Sequence, residues 1–136
     1  PSAKICHHPD KKCWLMTVSS ERKMLGEQVD ILTVDSCTRN AQRVSLEGAM
    51  RLLRERGIKS LMVEGGATVI TAFLRARLAD SLVLTVAPRL VGGYKAVGDL
   101  QTEGYKNQLI IDPLHSAASG KDHILWGDLQ YNGNIS

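Results

Sequence analysis

The sequence predicts an α/β protein with a largely parallel sheet and an antiparallel edge. Two observations carry that expectation. From Cys13 to Pro88 short apolar runs alternate with segments of helical period. Beyond Gly104 apolar runs follow one another with no helical segment between them. Strand–helix alternation builds parallel sheets through crossover helices, whereas consecutive strands build antiparallel ones.

The elements follow in order. Cys13–Val18 (CWLMTV) is a short apolar run of the kind that forms a buried strand. Ser19-Ser20-Glu21 then offers a hydroxyl N-cap and a first-turn acid, which predicts a brief helix over 21–28 (ERKMLGEQ). Val29–Val34 (VDILTV) is β-branched and strand-like. Residues 35–44 (DSCTRNAQRV) read as a polar loop. Ser45 can cap a helix over 46–57, whose apolar Leu46, Ala49, Met50 and Leu53 share one face and whose Gly57 ends it. Ile58–Val63 (IKSLMV) is the next expected strand. A helix is expected over Ala67–Arg77, with Val69, Ile70, Phe73 and Leu74 inward. Asp80–Pro88 (DSLVLTVAP) reads as a strand closed by proline, followed by a glycine-rich loop over 89–99. Asn107–Asp112 and His123–Tyr131 read as strands separated by the polar turn HSAASGKD.

Composition narrows the function classes. The 136 residues fit one domain, spanning 1–136. Hydrophobic residues at 43% and charged residues at 23% argue against disorder. A net charge of +3 from scattered Lys and Arg gives mild attraction for anionic small molecules but no nucleic-acid stripe. No apolar run reaches the roughly 18 residues of a membrane span, and no signal peptide is visible. Cys6, Cys13 and Cys37 are an odd number at ordinary spacing, which suits free thiols in a reducing compartment, the cytoplasm.

The chemistry concentrates where an expected strand meets an expected helix, at Glu64-Gly65-Gly66-Ala67-Thr68. Paired glycines let a ligand approach the backbone. The first amides of the helix lack internal partners and sit at the positive end of its dipole, so phosphate is the natural guest. The pattern is neither of the common nucleotide fingerprints, and a tight turn explains a glycine pair equally well. A second junction, Thr17-Val18-Ser19-Ser20-Glu21-Arg22, also follows a strand and opens a helix. Its hydroxyls and Arg22 can take another phosphate; simple N-capping explains the same residues.

Residues 57–93, GIKSLMVEGGATVITAFLRARLADSLVLTVAPRLVGG, form a longer signature: V-E-G-G-x-T, an apolar helix, L-x-D, a β-rich strand, then A-P-x-L-x-G-G. This run resembles the RibD C-terminal-like reductase domain of riboflavin biosynthesis, which has a dihydrofolate-reductase-like fold. Weaker likeness reaches upstream to WLMT and downstream to HILWGDLQY. The resemblance implies NADPH-dependent reduction of the ribose of a phosphoribosylamino-pyrimidine to a ribityl chain, with hydride from nicotinamide. By the same resemblance Gly65, Gly66, Ala67 and Thr68 hold the cofactor pyrophosphate. Thr17, Ser19, Ser20 and Arg22 lie toward the adenosine end and its 2′-phosphate. Glu64 faces the substrate near the ribose, and Asp80, Pro88, Gly92 and Gly93 match positions that carry no assigned chemistry. Glu64 closes its strand, so its carboxylate can point away from the amides that follow, and the two charges need not share one site.

The family's opening K-x-A-x-S-x-D-G strand and a later G-x-x-T-x-x-x-D-x-P segment do not occur here. The expectation is therefore a partial domain without its N-terminal strands: part of a longer reductase, a chain whose open sheet edge is covered by a homodimer mate or another chain, or a shortened relative. The alternative function is a homologue without reductase activity that reuses its cleft for another small molecule or a protein partner. Other motifs carry less. Cys6, His7, His8 and Cys13 lack a second ligand pair for zinc, so a polar loop is expected. Asn134-Ile135-Ser136 is a sequon with no sign of secretion. No G-x-S-x-G elbow is present. Trp14 and Trp126 are expected in the core, His115 and His123 in solvent.

Overall fold

The structure, a computed structural model, describes residues 13–19, 29–38, 40–101 and 108–131. The chain divides into two compact units, Pro1–Leu61 and Met62–Ser136.

In the first unit β1 (Cys13–Thr17) pairs in parallel with β2 (Val29–Thr33), in register from Cys13 opposite Val29 to Thr17 opposite Thr33. The helix expected over 21–28 lies outside the described residues. Val34 extends the β2 line, its amide donating to the Thr17 carbonyl at 2.9 Å. The expected loop over 35–44 is instead a hairpin of β3 (Ser36–Cys37) and β4 (Asn40–Val44), with an irregular register between Ser36 and Cys37. Its side chains are mostly exposed, so it carries no apolar alternation for a sequence to display. Main-chain pairing and the Asn40 Oδ1 acceptor for the Gln42 amide shape it.

Helix α1 (Leu46–Glu55) forms as expected. The Ser45 hydroxyl accepts from the Gly48 amide at 3.1 Å, and Glu47 sits in the positive first turn. At the other end Gly57 adopts φ 84°, and the Gly57 and Ile58 amides donate to the Arg54 and Leu53 carbonyls. This left-handed closure favours glycine. Ala49 and Leu53 are buried, as are Leu32 and Val34 of the β2 line. A Cβ on Gly48 would stand 3.2 Å from Val34 Cγ1, so α1 lies close over the end of β2.

In the second unit α2 (Ala67–Arg75) buries Thr71, Phe73 and Leu74. Val69, expected inward, is 42% exposed. It stands on the first turn, above Gly65, where a Cβ would meet Val69 Cβ at 3.1 Å. The helix closes as α1 does, but with Arg77 at φ 54°; its amide and that of Leu78 donate to the Leu74 and Phe73 carbonyls. The sheet has the order β5 (Ser81–Val86), β7 (Asp122–Tyr131), β6 (Leu109–Ser119), antiparallel throughout, with Leu129 buried. Among the described residues the one parallel ladder is therefore β1–β2.

Three local expectations differ from the structure. Among the described residues no ladder partner pairs with Ile58–Val63, which is not a strand in the structure. Apolar β-branched sequence makes a strand only where a neighbour supplies hydrogen bonds, and Leu61 and Met62 are exposed. The polar turn HSAASGKD is strand up to Ser119, and the loop shrinks to Gly120-Lys121 between paired Ser119 and Asp122. Gly120 at φ 63° meets the positive-φ demand at the first position of such a hairpin. Small polar residues are accepted there because that end of the sheet is exposed. Trp126 is likewise 38% exposed, and its ring stacks on His115 at 5.6 Å instead of entering the core. Trp14 is half-buried, its indole N–H donating to Asp30 Oδ2.

Candidate functional site

The site begins at the N-terminus of α2. Gly66 is the N-cap, extended at φ −76° and ψ 173°, and no side chain caps the helix there. Its carbonyl accepts from Val69 and Ile70, which starts the helical ladder. The amides of Ala67 and Thr68 precede that ladder and have no intrahelical acceptor. They mark the positive end of the dipole, and α2 has no acidic residue in its first turn.

The two glycines differ. Gly65 is tight against Val69, so a larger residue there would require the Val69 side chain to give way slightly. At Gly66 an added Cβ meets no atom within 4 Å, and its φ is open to any residue. Neither packing nor backbone demands glycine at Gly66. The open space is what a phosphate needs to reach main-chain amides. Glu64 precedes this cradle and is exposed, as is Thr68, whereas Ala67 is half-buried. These five residues are contiguous in the second unit. A pyrophosphate group fits this donor set, since space is open at Gly66 and no side chain caps the helix there.

The second expected cluster divides. Thr17 ends β1, and its Oγ1 accepts from the Ser19 amide at 3.1 Å, a local turn closing the strand. Ser20 and Arg22 lie outside the described residues. The cysteine–histidine motif does too, apart from Cys13, which is a half-buried free thiol.

Thr71 carries no expected role in the sequence reading. It lies among the apolar positions of α2, is 8% exposed, and its Oγ1 accepts from the Gly98 amide at 2.7 Å. The signal was a β-branched hydroxyl residue inside an otherwise apolar helix face. Beyond the end of the helix, Tyr131 donates its hydroxyl to the Ala79 carbonyl at 2.7 Å, and the Arg77 guanidinium lies 5.8 Å from its ring. Burial, aided by the nearby Asp80 carboxylate, raises the Tyr131 phenol above its ordinary value. The Asp80 carbonyl accepts from Leu129, and Ser81 donates to Asp128 at 2.8 Å. Asp80 thus stands at a junction of helix end and sheet.

Comparison with known proteins adds the family. The model of the RibD C-terminal domain matches residues 1–125. A 2,5-diamino-6-ribosylamino-4(3H)-pyrimidinone 5′-phosphate reductase of Aquifex aeolicus is 35% identical over 104 residues, 76% of this chain and 46% of that protein. The riboflavin biosynthesis protein RibD of Bacillus amyloliquefaciens is 30% identical over 94 residues, 69% of this chain and 25% of that protein. This chain therefore spans between a quarter and a half of those relatives. Among solved structures, the riboflavin biosynthesis reductase Rib7 of Saccharomyces cerevisiae superposes with a TM-score of 0.69 at 22% identity, covering 88% of this chain and 52% of that one. That likeness supports the dihydrofolate-reductase-like α/β fold. With a family match over most of its length, this chain belongs to the RibD C-terminal domain family.

Proposed function

We propose that the chain is a reductase domain of riboflavin biosynthesis, in which NADPH reduces the ribose of a phosphoribosylamino-pyrimidine to a ribityl group. Its relatives carry the names of pyrimidine reductases and RibD proteins, and the open Gly66 cradle carries the assignment to this chain's own residues. NADPH supplies the hydride. The chain supplies position: the Gly65–Thr68 main chain receives the pyrophosphate, and the Thr68 hydroxyl adds a donor. Thr17, Ser19, Ser20 and Arg22 are assigned to the adenosine end, with Arg22 the charge partner of a 2′-phosphate. Glu64 is assigned to the ribose hydroxyls, where a carboxylate accepts hydrogen bonds from the sugar. The 136 residues act as one partial domain, a homodimer covers its open sheet edge, and the cytoplasm is its compartment.

The test is turnover. The purified chain, given the phosphorylated pyrimidine and NADPH, is expected to consume nicotinamide absorbance and release the ribityl product. Product formation with NADH alone, or none with either cofactor while NADPH binds, would contradict this assignment.

A further inference from the structure

The tie between Thr71 and Gly98 links two parts of the second unit that the sequence separates. Thr71 is buried on α2, five residues beyond Gly66. At 1.5 Å per residue it sits about 7.5 Å along the axis from the cradle, well within the length of a dinucleotide. Its hydroxyl oxygen takes the Gly98 amide at 2.7 Å, and a Cβ on Gly98 would come within 3.1 Å of that oxygen. Only a residue without a side chain approaches so closely without displacing Thr71.

The tethered segment, residues 87–101, follows the carboxyl end of β5. It exposes Leu90, Val91 and Tyr94 at 105%, 71% and 87%. Arg89 and Lys95 are exposed beside them. Apolar side chains interleaved with cations suit a ligand that has both rings and phosphates.

We infer that Thr71 is a positioning residue for the cofactor: it holds the 87–101 loop against the first turns of α2, so that a dinucleotide seated at Gly66 lies against the loop. This inference rests on the cofactor assignment above and adds a residue to it. Thr71 touches no reacting atom in this role. It acts through the loop.

The test compares Thr71→Val, which keeps shape and loses the acceptor, with Thr71→Ser, which keeps the acceptor. Amide exchange of Gly98 without cofactor is expected to quicken in Thr71→Val and to stay slow in Thr71→Ser. NADPH titration is expected to show about fivefold weaker binding in Thr71→Val, the value of one hydrogen bond. Thr71→Ser should restore it, with KM for NADPH raised in Thr71→Val and kcat unchanged. Gly98→Ala strains the same tie from the other side and should weaken binding too, which keeps the test open if Thr71→Val fails to fold. Wild-type affinity in Thr71→Val, or no rescue by Thr71→Ser, overturns the inference and leaves the cofactor assignment standing. A wild-type chain that does not bind NADPH overturns both.

Discussion

Single residues decide the chemistry. Gly66 has room that packing does not require, so Gly66→Asp should fold normally and lose NADPH binding, because a carboxylate would occupy the phosphate position. Retained affinity in a nicotinamide fluorescence titration would move the cofactor elsewhere. Glu64 precedes the cradle and is exposed. On the proposed assignment of Glu64 to the ribose, Glu64→Gln should keep NADPH affinity and lower turnover; equal loss of both would put Glu64 on the cofactor side. Tyr131 gives a pH signature. Burial raises its folded-state pKa above the unfolded value of 10.0. Its stabilising contribution is therefore complete below about pH 10 and is lost as pH rises through the folded value. Chemical denaturation should show stability falling on that alkaline limb, and Tyr131→Phe should flatten it while costing about 1 kcal/mol at neutral pH. The helix start after the glycine pair was legible because its signal is contiguous in sequence, although no strand ends at Glu64. Thr71 was not, because its role depends on Gly98, 27 residues away.

At the scale of elements, local signals held where the cause is local. Ser45, Glu47 and Gly57 bracket α1. Pro88 follows the end of β5, and the apolar run from His123 is β7. Signals failed where pairing is the cause. Ile58–Val63 has strand composition without a ladder, and residues 36–44 form a hairpin from polar sequence. Gly127 shows the same dependence. It is buried opposite Leu114 and Leu82, beside the register shift of β6 at Ile111–Leu114. A Cβ there would run into the Pro113 carbonyl and stand 2.6 Å from Ile111 Cγ2. Main chain cannot yield as a flexible side chain does. Gly127→Ala should therefore cost about 1–3 kcal/mol of stability, the usual range for overpacking, read as a lower denaturation midpoint. Nothing in the sequence around Trp126-Gly127-Asp128 announces this, because the obstructing atoms belong to another strand.

At the scale of the molecule, apolar surface remains uncovered. The edge strand β5, SLVLTV, carries no charge, and Val83 and Val86 are 63% and 46% exposed. Long uncharged edges invite another chain. Sedimentation should report twice the chain mass, and Val83→Lys should shift it toward one; a monomeric wild type would contradict the proposed homodimer. Among the described residues no helix is long and apolar enough to cross a membrane. The α/β class and the family signature were both readable from residues 57–93. The balance of parallel and antiparallel pairing was not, because it depends on which strands find neighbours. The proposed binding of NADPH at the start of α2 is what every other assignment depends on. The deciding experiment titrates NADPH into the purified 136-residue chain and into Gly66→Asp beside it. Saturable nicotinamide fluorescence in the first and none in the second is the predicted result. No binding at millimolar NADPH, or equal binding by both, would contradict it.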